Sequence, residues 1–183
     1  MRRFYYLADR LLSAKSVSDD LHAIGISDWN FHVLSKDESG LLSHHIHSAT
    51  PLEERDIIHS GERGALLGFG LGFLLITGLK FLSPVGQYMD FTTFIGLVVL
   101  VTCFGAWVGG MVGISHDNYK IVRFHDDIEA GKYLIMVDVS KEQAHKMIDL
   151  MAKKHSDAIP VGTGSPYSNP LDGLPWFSKQ HTY

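Results

Sequence analysis

Two long runs without acidic residues occupy the middle of the chain, and shorter patterns typical of a water-soluble domain flank them. The second run, Phe91 to Ile114, has 24 residues and no charge. A helix of that length is about 36 Å long, which is enough to cross a hydrocarbon core of about 30 Å. The first run, Gly64 to Leu82, is interrupted only by Lys80, whose long side chain can reach the headgroups from near a helix end. The pattern predicts two membrane spans, 64–82 and 91–114, and argues against a buried hairpin of a soluble protein.

The connection between the two spans is short and contains the turn-forming residues Pro84 and Gly86. A short connection makes the helices antiparallel neighbours, so the chain before and after the hairpin lies on one side of the membrane. Basic residues lie mostly at the open end of the hairpin, with Arg55, Arg63, Lys120 and Arg123 there and Lys80 alone near the turn. The positive-inside rule therefore predicts a multi-pass protein with cytoplasmic N- and C-termini.

The flanking segments predict a small α/β domain. Before the hairpin, the order is strand, helix, strand, at Phe4–Leu7, Ser13–Ile24 and Trp29–Ser35. After it come a strand, a helix opened by a Ser140/Gln143 capping box and a short last strand, at Tyr133–Val139, 140–154 and Ala158–Val161. With the insertion removed, β-α-β occurs twice, as in a ferredoxin-like split βαβ fold. The predicted class is an α+β membrane protein, with a ferredoxin-like cytoplasmic domain interrupted by a two-helix transmembrane hairpin.

These patterns divide the chain into six segments. The two halves of the α/β domain are 1–39 and 132–162, and the hairpin is 64–114. A helical approach segment, 40–63, precedes the hairpin, and a helical exit segment, 115–131, follows it, with a helix over Tyr119–Ala130. Residues 163–183 form an irregular tail. The tail is rich in Pro and Gly, a composition typical of irregular chain. Trp176 and Phe177 could anchor it to a partner, to the domain or to the membrane interface, although most such tails are mobile.

Glycine recurs every four residues in both spans. The rows are Gly64, Gly68 and Gly72 in the first span and Gly105, Gly109 and Gly113 in the second. Residues four apart share a helix face, and helices in lipid associate through close backbone contact over small residues. The rows therefore predict helix-packing faces, and they leave open whether each row meets the other span or another subunit. Gly70 and Gly110 lie off these rows, which favours additional contacts between subunits.

Charge and cysteine content exclude several classes of protein. A net charge of −4 and a pI near 6.2 argue against a nucleic-acid partner. Cys103 is the only cysteine, so no internal disulfide is possible, and its place in an apolar run predicts a buried, unreactive thiol. The residues before Asp9 contain no long apolar stretch, so no signal peptide is predicted and the internal spans provide the targeting.

Histidines and charges before the first span are the remaining candidate chemistry. His44, His45 and His47 cluster, but two are adjacent and no zinc-site spacing is present, so a solvated loop is predicted and no tight metal site. Weak metal binding by the cluster, or a response to pH near neutrality, stays open. A second group of side chains could form ion pairs within a helix or across a subunit boundary, namely Glu54, Arg55, Glu62 and Arg63.

A dinucleotide site is not predicted. Gly68, Gly70 and Gly72 place the third glycine one position early for the dinucleotide fingerprint, no strand precedes them, and they lie within a span. No nucleophile with a neighbouring base is recognisable either. The sequence therefore predicts no cofactor, no metal and no enzymatic activity.

Four segments carry a resemblance to a known family: FYYLAD at 4–9, HVLSK at 32–36, ERDIIHSGERG at 54–64 and FGAWVGG at 104–110. They resemble a family of small bacterial inner-membrane proteins of unknown function, similar in turn to the general stress protein 17M-like domain with a glycine-rich transmembrane insert. The resemblance covers about residues 3–160. It implies a bacterial inner-membrane setting and a connection with stress, and it supplies no catalytic residues.

Together these features predict a non-enzymatic inner-membrane protein that forms a homo-oligomer through its glycine-rich helices and its α/β domains. The predicted partners are the lipid bilayer and further copies of the chain. The alternative is a small ion or metal transporter, or its regulatory subunit. Against it, the spans carry no charge near the bilayer midplane, and their polar groups besides Lys80 are the hydroxyls of Thr77, Thr92, Thr93 and Thr102.

Overall fold

The computed structural model describes residues 1–172, which divide into two units. The α/β unit consists of Met1–Glu54 and Tyr119–Tyr167. The hairpin unit consists of Arg55–Asn118 together with residues 168–172. Trp176 and Phe177, the predicted tail anchors, lie outside the described residues.

The α/β unit is built on a four-stranded antiparallel sheet in the order β2-β3-β1-β4. The strands are β1 (Arg2–Ala8), β2 (Phe31–Leu34), β3 (Tyr133–Val139) and β4 (Ala158–Gly164). Strand β1 lies between β3 and β4, and β3 lies between β1 and β2. Strands from the two ends of the chain therefore alternate in one sheet, although the hairpin separates them in sequence.

Two helices, α1 (Leu11–Ala23) and α7 (Lys141–Lys154), belong to the core on one face of this sheet. Alternate strand residues bury their side chains with residues of these helices, namely Phe31, Val33, Ile135 and Val137 with Val17, Leu21 and Met147. Gly25, two residues past the end of α1, has a φ of +90°, a conformation that glycine adopts at little cost. Ser140 Oγ accepts a hydrogen bond from the Gln143 backbone N–H at 3.3 Å, which confirms the predicted cap of α7.

The opposite face of the sheet is buried as well, by the chain that leads to and from the hairpin. Tyr5, Leu7, Leu134 and Met136 pack there with Ala49, Ile121 and Phe124. Up to residue 56 the approach contains the short helices α2 (Glu38–Ser43) and α3 (Pro51–Glu54), and the exit contains α6 (His125–Glu129). The predicted helix over Tyr119–Ala130 is wrong before Val122, where the chain forms turns and buries Ile121.

Several strand boundaries also differ from the prediction, and β1 extends from Arg2 to Ala8 instead of from Phe4 to Leu7. Strand β2 begins at Phe31 instead of Trp29, because Asp28–Asn30 form a 3-10 turn. Strand β4 continues to Gly164, beyond the predicted end at Val161, through a change of register opposite Tyr5 and Tyr6. Gly162, with a φ of +153°, lies at this irregularity.

The hairpin unit consists of two helices long and apolar enough to cross a membrane, α4 (Ile57–Leu82) and α5 (Phe91–Ile114). Only 17% of the most apolar 18-residue window of α4 is buried, and 6% of that of α5, whereas the core helix of a soluble protein is mostly buried. Helix α4 begins seven residues before the predicted span, so part of the approach segment belongs to this helix. A 3-10 turn, Pro84–Tyr88, connects the helices, and a Cβ at Gly86 would overlap the Lys80 carbonyl oxygen.

Candidate functional site

The two predicted glycine rows face one another within a single hairpin. A Cβ placed on Gly109 would lie 3.0 Å from the Gly64 Cα and would overlap the Ser60 carbonyl oxygen. A Cβ on Gly68 would lie 2.7 Å from the Val101 carbonyl oxygen. Contacts below 3.0 Å do not occur between real Cβ atoms and backbone, so only glycine permits this approach of α4 to α5.

Other glycines of the rows also lie where α4 and α5 meet. A Cβ on Gly105 would lie 2.9 Å from the Gly68 Cα, and one on Gly113 would lie 2.8 Å from the Ile57 Cα. Towards the turn, larger side chains replace glycine, and Ile76, Met89 and Val98 form a small buried cluster. The sequence left the partner of each row open, and the structure places that partner in the other helix of the same chain.

A second set of small residues lies on the outer surface of the hairpin. A Cβ on Gly70, Gly78 or Gly96 would meet no atom within 4 Å. Large apolar side chains are exposed on the same two helices, including Leu74 and Phe104. Cys103 is also exposed, so the prediction of a buried thiol is wrong. The apolar run around Cys103 supplies exposed surface as well as packed interior, and hydropathy alone does not separate the two.

An ion pair closes the open end of the hairpin. Arg55 Nη1 lies 3.0 Å from Asp117 Oδ1, and the Asp56 backbone N–H donates to the His116 carbonyl oxygen at 3.0 Å. Both side chains of the pair are partly exposed, so its contribution is on the order of 1 kcal/mol or less. The contacts tie the chain entering α4 to the chain leaving α5.

The other predicted interface charges have partners within the chain. Glu62 accepts a hydrogen bond from Ser168 Oγ at 2.7 Å. Arg63 donates to the carbonyl oxygen of Pro170 at 3.0 Å and to that of Asp172. Glu54 is the last residue of α3. Residues 168–172 thus lie against the first turns of α4 and supply partners for Glu62 and Arg63, for which the sequence left open pairing within a helix or across a subunit boundary.

A buried polar cluster, which the sequence did not predict, lies on the sheet face covered by the approach and exit segments. Arg3 of β1 and Asp138 of β3 occupy directly opposite positions and form two hydrogen bonds, Nε to Oδ1 at 2.8 Å and Nη2 to Oδ2 at 2.6 Å. Arg3 Nη2 also lies 3.1 Å from Glu53 Oε1. Burial alone would lower the pKa of Arg3, but the hydrogen bond and charge of Asp138 raise it above its ordinary value. Arg3 is therefore a permanent cation inside the domain.

His32 extends this cluster towards the approach segment. Its Nε2 lies 3.3 Å from Glu53 Oε1, and its ring centroid lies 5.4 Å from that of His47. Burial lowers the pKa of His32 below its ordinary value, and the charge of Glu53 only partly opposes this effect. The signal available in the sequence was the polar residues Arg3, His32 and Asp138 within strands that are otherwise apolar.

The predicted histidine group divides between different environments. His44 and His47 are partly buried, and His45 is exposed with a φ of +53°. Within residues 1–172, no group of three or more His, Cys, Asp or Glu side chains has an arrangement that could hold a metal ion.

No protein-family model, curated protein or solved structure matches the chain significantly. The class of protein is therefore defined by the fold and the site alone. It is an α+β protein in which two helices, long and apolar enough to span a membrane, interrupt a four-stranded antiparallel sheet.

Proposed function

We propose that this chain is a non-enzymatic bacterial inner-membrane protein that anchors a cytoplasmic α/β domain to the bilayer and assembles with further copies of itself. The observation that carries the proposal is the exposure of α4 and α5, whose apolar windows are 17% and 6% buried. Lipid or other copies of the hairpin are the environments that match such a surface. A role connected with stress rests on the family resemblance of the sequence.

The outer surface of the hairpin supports assembly through helices. Since the glycine rows are used within the hairpin, contact between copies falls on the outer small residues Gly70, Gly78 and Gly96. These positions allow a second helix backbone to approach, which is the main source of helix packing in lipid. The α/β domains supply the second predicted contact between copies.

The α/β unit is proposed to have a ferredoxin-like fold. The support is its strand order, β2-β3-β1-β4, with every neighbouring pair antiparallel. Two β-α-β units that interleave in this way define the split βαβ arrangement. The hairpin is inserted between β2 and β3, which are antiparallel neighbours in the sheet. In an uninterrupted split βαβ fold a loop joins these two strands directly.

The alternative of an ion or metal transporter gains no specific support from the spans. Thr102 Oγ1 donates to the Val98 carbonyl oxygen at 2.8 Å, within its own helix. Lys80 Nζ donates to the Met89 carbonyl oxygen at 2.6 Å, beside the turn. These polar groups therefore satisfy local backbone acceptors.

We expect the purified protein to be an oligomer of uniform mass in mild detergent and in nanodiscs. Native mass spectrometry and light scattering provide the measurement. Gly96→Leu fills the outer surface of α5 and should lower the assembly mass, whereas Ile148→Leu, a conservative change in α7, should leave it unchanged. A monomeric wild type in both environments refutes the assembly proposal and leaves the membrane anchor intact.

We also expect the turn between α4 and α5 to face away from the cytoplasm. A Gln87→Cys variant, made in a Cys103→Ser background, should react with a membrane-impermeant maleimide in intact spheroplasts. Ser156→Cys, an exposed position of the α/β unit, should react only after permeabilisation. The opposite pattern of labelling would reverse the proposed topology.

A further inference from the structure

Glu53 fastens the approach segment to the sheet of the α/β unit. Its Oε1 meets Arg3 and His32, while its Oε2 accepts from the Thr50 backbone N–H at 3.1 Å and from the Thr50 hydroxyl at 3.3 Å. The hydrogen bond from the Thr50 backbone N–H to Glu53 is one half of a capping box and stabilises the single turn of α3. Glu53 therefore joins the start of α3 to the side chains of β1 and β2. In the sequence, α3 is followed at once by Arg55 and by α4.

The contacts of His32 assign its neutral tautomer. Its Nε2 faces two acceptors, the Trp29 carbonyl oxygen at 3.1 Å and Glu53 Oε1 at 3.3 Å, so Nε2 carries the proton and donates. The side chain is only 8% exposed. Its Nδ1 is buried and has no hydrogen-bond partner among residues 1–172. A second proton, on Nδ1, would create a buried cation whose new N–H has no acceptor, which is costly.

Charged and titratable groups act on His32 from four parts of the α/β unit. Glu53 of α3 and Asp138 of β3 favour a positive ring, while Arg3 of β1 and His47 of the approach segment oppose it. Burial acts in the same direction as Arg3 and His47, and it is the largest effect on the pKa of His32, which is lowered. Neutral His32 is therefore the form that fits this site.

We propose that His32 is an acid-sensitive contact that holds residues 47–54 on the sheet at neutral pH and releases them when the ring is protonated. Backbone contacts also hold this segment beside β2. Val33 donates its N–H to the His47 carbonyl oxygen at 3.0 Å, and the Ala49 N–H donates to the Val33 carbonyl oxygen at 2.9 Å. Protonated His32 moves towards water, so Glu53 loses its contact with His32 and keeps its contact with Arg3. The inference concerns the chain that leads into the first span, and it does not depend on assembly.

The direction of the pH effect follows from linkage. Because the pKa of folded His32 lies below its unfolded value of about 6.5, the released state binds more protons than the attached state. The attachment is complete above that pH and weakens as the pH falls below it. Each unit by which the pKa is lowered corresponds to a tenfold change in the equilibrium between attached and released forms.

Hydrogen–deuterium exchange of the full-length protein in nanodiscs tests this contact. At pH 5.5, relative to pH 7.5 and after correction for intrinsic exchange, the amides of Ala49 and Thr50 should lose protection, by at most about tenfold because pH 5.5 lies one unit below the unfolded pKa of about 6.5. In His32→Gln, whose amide nitrogen can still donate to Glu53 but cannot titrate, protection should be equal at the two pH values. His155→Gln removes another buried histidine, one that lies 3.0 Å from Asp20, and should keep the wild-type response.

Either of two exchange results overturns the proposal: a wild type with equal protection at both pH values, or a His32→Gln variant that responds to acid as the wild type does. If His32→Gln does not fold, ring NMR of histidine-labelled wild type decides, since a His32 pKa at or above 6.5 is incompatible with the proposed contact. The assembly mass, recorded at both pH values, separates release of the segment from dissociation of subunits.

Discussion

Gly109→Leu should strongly destabilise the hairpin. The new side chain meets the Ser60 carbonyl oxygen and the Gly64 Cα, which are backbone atoms that cannot rotate away. Overpacking typically costs 1–3 kcal/mol, and we expect about 3 kcal/mol here because the two helices must separate. The measurement is unfolding in mixed micelles of rising SDS fraction. It is followed by Trp107 fluorescence in a background with Trp29→Phe and Trp176→Phe.

Val99→Leu in the same helix serves as the control for Gly109→Leu, because it enlarges a side chain on the exposed face of α5. It should unfold near the wild-type SDS fraction. If Gly109→Leu unfolds with it, the contact between the glycine rows is not what holds α4 to α5.

The glycine rows illustrate what the sequence could and could not predict about the hairpin. A recurrence of four residues places Gly64, Gly68 and Gly72 on one helix face, and this follows from helix geometry alone. Which surface that face meets depends on the register between α4 and α5, which is set by the turn and by side chains such as Ile76 and Val98. That information is not local in the sequence. Periodicity therefore predicted the face, and only the structure gives its partner.

In the α/β unit, too, local patterns predicted the strands and long helices but not the segments shaped by tertiary contacts. All four strands and the two long helices were predicted, because alternating and helical apolar patterns are strong local signals. The segments before and after the hairpin were predicted as helices, yet much of residues 44–50 and 115–121 is non-helical. Their apolar residues Ala49, Ile121 and Phe124 are spaced to cover a sheet that is assembled from distant strands. Tertiary contacts of this kind override local propensity.

Asp138→Ala should strongly destabilise the α/β unit. It leaves the Arg3 guanidinium, which is buried beneath the approach segment, without its bidentate partner. Breaking a buried ion pair costs about 3–5 kcal/mol, and the lower end applies here because Glu53 remains 3.1 Å from Arg3. Amide exchange of β1 and β3 in the full-length protein measures the loss, since these strands open only when the sheet does.

The double variant Arg3→Met/Asp138→Leu separates the cost of an uncompensated charge from the cost of altered packing. Replacing both partners of a buried pair by apolar side chains is often neutral or stabilising, so the double variant should recover most of the stability that Asp138→Ala loses. Both residues lie beside Met136, on a face that already buries apolar side chains. If the double variant is as unstable as Asp138→Ala, the pair contributes specific geometry to the sheet. In that case the interaction between Arg3 and Asp138, measured as the coupling energy of the double-mutant cycle, is itself stabilising, and removing a buried charge does not restore the loss.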